Sequence, residues 1–116
     1  MPELKPVSSL ALNGIEGYAV SVECDISGGL PVFDIVGLPD AAVRESRDRV
    51  RAAMKNSGFE YPASHITVNL APADVRKEGA VYDLPLMLAL LSSTEQIPPI
   101  PDKYAFVGSL SLDGRV

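Results

Sequence analysis

Residues 34–46 read Asp-Ile-Val-Gly-Leu-Pro-Asp-Ala-Ala-Val-Arg-Glu-Ser, and the stretch changes its period half-way along. Up to Val36 it continues the strand pattern of Val32-Phe33-Asp34-Ile35-Val36, rich in β-branched and aromatic residues. Gly37-Leu38-Pro39-Asp40 breaks that pattern, and either Pro39 or Asp40 is suited to open a helix. From there the spacing predicts a helix to Asn56-Ser57-Gly58, with Gly58 as its stop. Val43, Val50 and Met54, helped by Ala42, Ala53 and Ser46, fall on one face. Arg44, Glu45, Arg47, Asp48, Arg51 and Lys55 fill the other. A strand followed at once by an amphipathic helix points to an α+β domain in which helices cover a sheet.

The flanking sequence extends this reading. Val20, Val22 and Cys24 alternate with Ser21, Glu23 and Asp25, the period of a half-buried strand. Asn13-Gly14 is a hairpin signal, so Leu10–Leu12 and Ile15–Cys24 are expected to pair. Ser27-Gly28-Gly29-Leu30-Pro31 is a turn cluster, which makes the first part of the chain an expected antiparallel meander. Downstream, His65–Leu70 reads as a strand and Ala71–Val81 as a polar loop. Asp83-Leu84-Pro85 opens a second helix, with Asp83 as its N-cap. Leu84, Leu86, Met87, Leu88, Ala89, Leu90 and Leu91 are apolar almost all round, the mark of a buried helix. Pro98-Pro99-Ile100-Pro101 is expected to end it, before a strand over Tyr104–Leu110. Ser109–Val116 reads as a hairpin around Asp113-Gly114 with its return strand cut short, so the chain is expected to be a fragment. The expected fold is a mixed, mostly antiparallel sheet with two helices on one face.

Composition narrows the function classes. A chain of 116 residues suits one domain, 1–116, and 47% hydrophobic residues suffice for a core. With no Trp and only 6% aromatic residues, that core is expected to be built mainly from Val, Leu, Ile and Ala. The net charge of −5 opposes independent nucleic-acid binding, which rests on neutralising phosphates, although a local basic patch stays possible. A lone cysteine, Cys24, excludes an internal disulfide and fits a reducing compartment. Neither a signal peptide nor a run of about 20 apolar residues is visible, so a cytoplasmic chain without a membrane partner is expected.

The chemistry-bearing motifs are few. None of Lys5, Lys55, Lys77 and Lys103 follows a glycine, so there is no Gly-Lys-Ser/Thr phosphate loop, and Gly28-Gly29 sits between strands as a turn. His65, the only histidine, begins an apolar strand with no nearby Ser or Cys placed in sequence to act as its partner, and reads as a strand-edge residue. Cys24 shares the apolar side of its strand with Val22. No metal-ligand spacing is present. On the first helix Arg44, Arg47, Arg49, Arg51 and Lys55 outweigh Asp40, Glu45 and Asp48. They read either as a contact surface or as a solvated face with pairs such as Arg44–Asp48 and Glu45–Arg49. The loop Asp74-Val75-Arg76-Lys77-Glu78-Gly79 reads either as a binding loop or as a connection.

Three stretches are more specific in combination: residues 34–46 above, Ile66-Thr67-Val68-Asn69-Leu70-Ala71-Pro72-Ala73-Asp74, and Lys77-Glu78-Gly79 followed by Asp83-Leu84-Pro85. In this order and spacing they resemble the N-terminal domain of the ComM/YifB family of Mg-chelatase-like AAA+ proteins, from about Ser8 to Val116. The resemblance implies a bacterial protein in which this domain precedes an ATPase module and a Mg-chelatase-related region. In the ComM branch it implies a hexameric helicase driving branch migration during natural transformation. It also implies the fold of the Lon proteolytic domain, shared with the second domain of ribosomal protein S-five.

Lon-type peptidases carry Lys-Asp-Gly-Pro-Ser, whose Ser is the nucleophile, and a catalytic Lys further on. The matching stretch here is Lys77-Glu78-Gly79-Ala80-Val81, and a valine has no lone pair with which to attack a carbonyl. The position of the catalytic Lys falls beyond Val116. No catalytic, cofactor or metal residue is therefore expected in this chain, with ATP and Mg assigned to the missing module. The resemblance implies a non-catalytic domain that supports ring assembly and coupling, and Arg76, Lys77, Arg44, Arg47 and Arg51 are the expected contacts to a partner subunit or to DNA. A regulatory module that binds a protein and controls the ATPase is the alternative. A peptidase, or a component of a metal chelatase, fits less well.

Overall fold

The structure, a computed structural model, describes residues 6–13, 16–74, 77–98, 100, 106 and 108–111. Four strands form one sheet: β1 (Val7–Asn13), β2 (Glu16–Ser27), β3 (Phe33–Val36) and β4 (His65–Ala71), in the order β1-β2-β4-β3. β1 pairs antiparallel with β2 and β2 antiparallel with β4, while β3 runs parallel to β4. The sheet is mixed and mostly antiparallel, as expected. The meander is not. β3 crosses over to β4 at the far edge instead of returning along β2, because its apolar residues meet their counterparts there. Phe33 lies opposite Ile66 and Ile35 opposite Val68.

The pleat puts every second residue on the core face. Val7, Val22 and Leu70 form one row across the sheet, Cys24, Val68 and Ile35 a second, and Ile26, Ile66 and Phe33 a third. Each fully buried aliphatic side chain here contributes about 1.5–3 kcal/mol against chain entropy. The opposite face carries Ser21, Glu23, Asp25, Asp34, Thr67 and Asn69, partly or fully exposed, so the sheet is covered on one side only among the described residues.

The helices supply that cover. α1 (Ala41–Arg44) and α2 (Ser46–Asn56) follow one another across Glu45, and α3 (Asp83–Ser93) lies beside α2 against β1 and β2. Val43, Ser46, Val50, Ala53 and Met54 are buried, with Arg44, Glu45, Arg47, Asp48, Arg51 and Lys55 outward, as the spacing predicts. α2 closes as foreseen at Gly58, whose φ is +83°. Phe59 N–H donates to Met54 O at 2.9 Å and Gly58 N–H to Lys55 O at 3.3 Å, the paired bonds of a Schellman turn.

α3 ends before the proline cluster, at Ser93, in the same turn type. Gln96 N–H donates to Leu91 O at 2.9 Å, with Glu95 in the left-handed position at φ +59°. The polar loop before α3 contains a 3-10 turn over Ala80–Tyr82. Residues 112–116, with the turn and return strand of the expected terminal hairpin, lie outside the described residues, as do Tyr104, Ala105 and Val107 of the expected strand over Tyr104–Leu110; the four described residues of that segment are not in a strand. Of that segment, Phe106 N–H donates to Ser8 O at 2.9 Å and Gly108 N–H to Val81 O at 2.8 Å.

Candidate functional site

The three specific stretches meet in space. Gly37 presses its backbone on β4: a Cβ there would stand 2.1 Å from Leu70 O, and its φ is +119°. Only glycine tolerates both conditions. Beyond it, Asp40 holds two elements at once. Its Oδ1 accepts from Val43 N–H at 2.8 Å, capping α1, and its Oδ2 accepts from Gly79 N–H at 3.0 Å. Lys77 N–H donates to Leu38 O and Asp40 N–H to Lys77 O, both at 3.0 Å, which clips the two loops together.

Lys77 corrects the sequence reading. It is expected as an exposed contact, yet it is fully buried, its ammonium donating to Pro72 O. Burial pushes its pKa down, and nearby Asp74 opposes that shift. Its side chain is therefore withdrawn from any surface contact. Arg76 lies outside the described residues.

Asp83 is the second correction. It is not the N-cap of α3 but its first residue, and its buried carboxylate reaches α2. Ser46 Oγ donates to Oδ1 at 2.5 Å, Arg49 grips both oxygens (Nε to Oδ2, 2.6 Å; Nη2 to Oδ1, 3.0 Å), and Leu110 N–H donates to Oδ2 at 3.1 Å. Arg49 also donates to Ala42 O at 2.7 Å. Its pKa is raised, first by the bond to Asp83 and against the pull of desolvation. Such a fork of parallel bonds is the strong form of the Arg–carboxylate pair. The lone pairs of Asp40 and Asp83 thus serve internal joints between α1, α2, α3 and the segment at Leu110.

The remaining reactive types are placed as follows. Val81, expected from the sequence resemblance at the position of the Lon nucleophile, is 43% exposed, and the adjacent Tyr82 is buried. Cys24 is buried in the sheet, and desolvation, then Asp25, pushes its thiol up to about 12. His65 Nε2 lies 3.1 Å from Asp34 Oδ2, and Ser27 is its register partner on β2. Among the described residues no group of three or more His, Cys, Asp and Glu is arranged to hold a metal ion, and no helix is long and apolar enough to cross a membrane.

The basic positions of the first helix divide between two concavities. Arg44 lines one of about 370 Å³ with Leu38, Pro39, Asp40 and Ala41. Arg47 and Arg51, joined by Lys55, line a groove of about 410 Å³ whose opposite wall is formed by residues 31–33 and 61–64. There the Arg51 guanidinium stands 5.5 Å from the centre of the Tyr61 ring. Asp48 pairs with its neighbour Arg47 at 3.4 Å, and the expected Glu45–Arg49 pair is present at 3.8 Å. Tyr61 drew no attention in the sequence, since a tyrosine between Glu60 and Pro62 has no periodic context.

Residues 22–116 match the family described as subunit ChlI of Mg-chelatase. The chain belongs to the ComM/YifB family of Mg-chelatase-like proteins. Within it, the chain is 51% identical over 114 residues (97% of its length) to the uncharacterised protein YifB of Escherichia coli strain K12. It is 48% identical over 109 residues (93%) to the uncharacterised protein Rv2897c of Mycobacterium tuberculosis. It is 44% identical over 111 residues (95%) to the competence protein ComM of Haemophilus influenzae. In each case the match covers 22% of the relative, so the chain spans about a fifth of the length of these ComM/YifB proteins.

Proposed function

We propose that this chain is a single, non-catalytic N-terminal domain with a Lon-protease-like fold, which supports ring assembly and coupling in a larger ATP-driven protein that processes DNA. The observation that carries the reading is the use made of the shared motifs. Asp40, Lys77 and Asp83 all bind backbone or side chains within the domain. Motifs used in this way build a rigid scaffold. The chain's own residues do not fit ATP and Mg, because no lysine follows a glycine to form a phosphate loop. Those ligands, and the hydrolysis that would drive assembly-dependent work, belong to the rest of the protein in this reading.

The larger protein would be a cytoplasmic hexameric ring acting in branch migration during natural transformation, as the family resemblance implies; one relative is named a competence protein. Arg44, Arg47 and Arg51 are the contacts to a neighbouring subunit or to DNA, with Arg76 a further position to test. The net charge of −5 favours a protein neighbour over DNA. The test is charge reversal at Arg44, Arg47 and Arg51 in the full-length protein, followed by sedimentation, ATPase rate and DNA binding across a salt series. Weakened assembly or uncoupled ATPase is the expected result, and no change in any of the three would overturn the contact role. If the ATPase changes with assembly intact, the domain is instead a regulatory module.

A further inference from the structure

The cations of the 410 Å³ groove are arranged at a cost to the free domain. Arg47, Arg51 and Lys55 stand at i, i+4 and i+8 on α2, one above the next at about 6 Å intervals, and all three face the same groove. Like charges at this spacing destabilise a helix. Among the described residues the only acid lining the groove is Asp48, already against Arg47, and Arg51 has an aromatic ring for its neighbour. Val32, Phe33 and Pro62 make the facing wall apolar, with Val32 41% exposed.

We propose that this groove binds an extended acidic segment of a partner protein, carboxylates on the Arg47–Arg51–Lys55 ladder and apolar side chains on the Val32–Pro62 wall. Alternate residues of an extended chain recur every 6.6–6.8 Å or so, close to the spacing of the ladder. Their intervening side chains point the other way, towards the apolar wall. A nucleic-acid strand fits less well. Its bases need open aromatic faces, the groove's tyrosine is already stacked by Arg51, and the acidic domain repels a long polyanion. The inference rests on the contact role proposed above and names the chemistry of the partner.

The test uses the full-length protein and three fluorescein-labelled probes. They are a ten-residue peptide with Glu at alternate positions and Val or Ser between, its analogue with Lys for Glu, and a ten-nucleotide thymidine strand. Anisotropy should show saturable binding of the acidic peptide that weakens at least tenfold in Arg47→Glu and Arg51→Glu, and no binding of the Lys analogue. Thymidine-strand binding should change less than twofold in the same variants. Melting within about two degrees of the parent would show that the variants fold.

No binding of the acidic peptide, or equal binding by parent and variants, overturns the proposal. So does a tenfold loss of thymidine-strand binding with peptide binding retained, which would make the groove a nucleic-acid site. Sedimentation of the same variants separates the two readings. Lost assembly without peptide binding sinks the acidic-segment proposal alone, whereas peptide binding that weakens in the variants with assembly intact supports it and sinks the assembly role.

Discussion

Two sides of the same helix use arginine in opposite ways. On the side towards α3, Arg49 is held by both oxygens of a buried carboxylate and by a backbone carbonyl. Two residues further along the chain, Arg51 faces a groove with cations one turn before and one turn after it. The first arrangement satisfies every charge inside the domain, and the second leaves an anion's place open. Composition and residue type do not distinguish these arginines. What does is whether an acid on another element comes within reach.

The comparison can be broken first at the carboxylate. Asp83→Ala leaves the Arg49 guanidinium, the Ser46 hydroxyl and the Leu110 amide without their shared acceptor. Removing one partner of a buried pair costs about 3–5 kcal/mol, and urea unfolding should show a loss of that size. Gly37→Ala tests the backbone contact on which the interior depends. With a Cβ 2.1 Å from Leu70 O and a φ of +119°, it should destabilise by about 3 kcal/mol in the same assay. A loss below about 1 kcal/mol in either variant would mean that the interior yields more readily than described.

Smaller effects sharpen the picture. Because the Cys24 thiol is raised to about 12 from 9.0, the folded chain keeps a proton that the unfolded chain loses above pH 9. The unfolded state then binds fewer protons, so stability should fall as pH rises through that window. The slope from this group is about 1.4 kcal/mol per pH unit at most. Tyr61 and Tyr82, raised by burial, add to the loss above pH 10, while Lys77, lowered by burial, works against it as pH approaches 10.5. Cys24→Val should flatten the decline, measured by denaturation between pH 8 and pH 10.5. Glu95→Gly should raise stability by about 0.5–1 kcal/mol, because it relieves a left-handed residue at the end of α3.

Much of the architecture was legible in the sequence because it is written in local periods. The alternation of Val20, Val22 and Cys24, the stripe Val43–Val50–Met54 and the all-apolar run of α3 each report burial directly. The partner of β3 was not legible. A short strand after a turn cluster looks like a hairpin arm, and its parallel register with β4 depends on residues 33 positions away. Asp83 misled for a related reason. A carboxylate at a helix start has a local use, capping, and nothing nearby says that it reaches Arg49 and Ser46 instead. Ser46 on the apolar stripe was the one available hint, since a polar residue in a core position needs a buried partner. Lys77 gave no hint at all: its neighbours in sequence are charged, and its burial follows from the clip between Leu38, Asp40 and its own backbone. Of the candidate contacts, the helical spacing placed Arg47 and Arg51 together but could not supply the opposing wall with Tyr61.

The most direct test is urea unfolding of Arg49→Ala beside Arg51→Ala at neutral pH. The division of labour along α2 predicts a loss of about 3–5 kcal/mol for Arg49→Ala, which strands buried Asp83, and within about 0.5 kcal/mol of the parent for Arg51→Ala. Equal losses from the two variants would contradict it, and would mean that the groove arginine is as much a part of the framework as the one that grips Asp83.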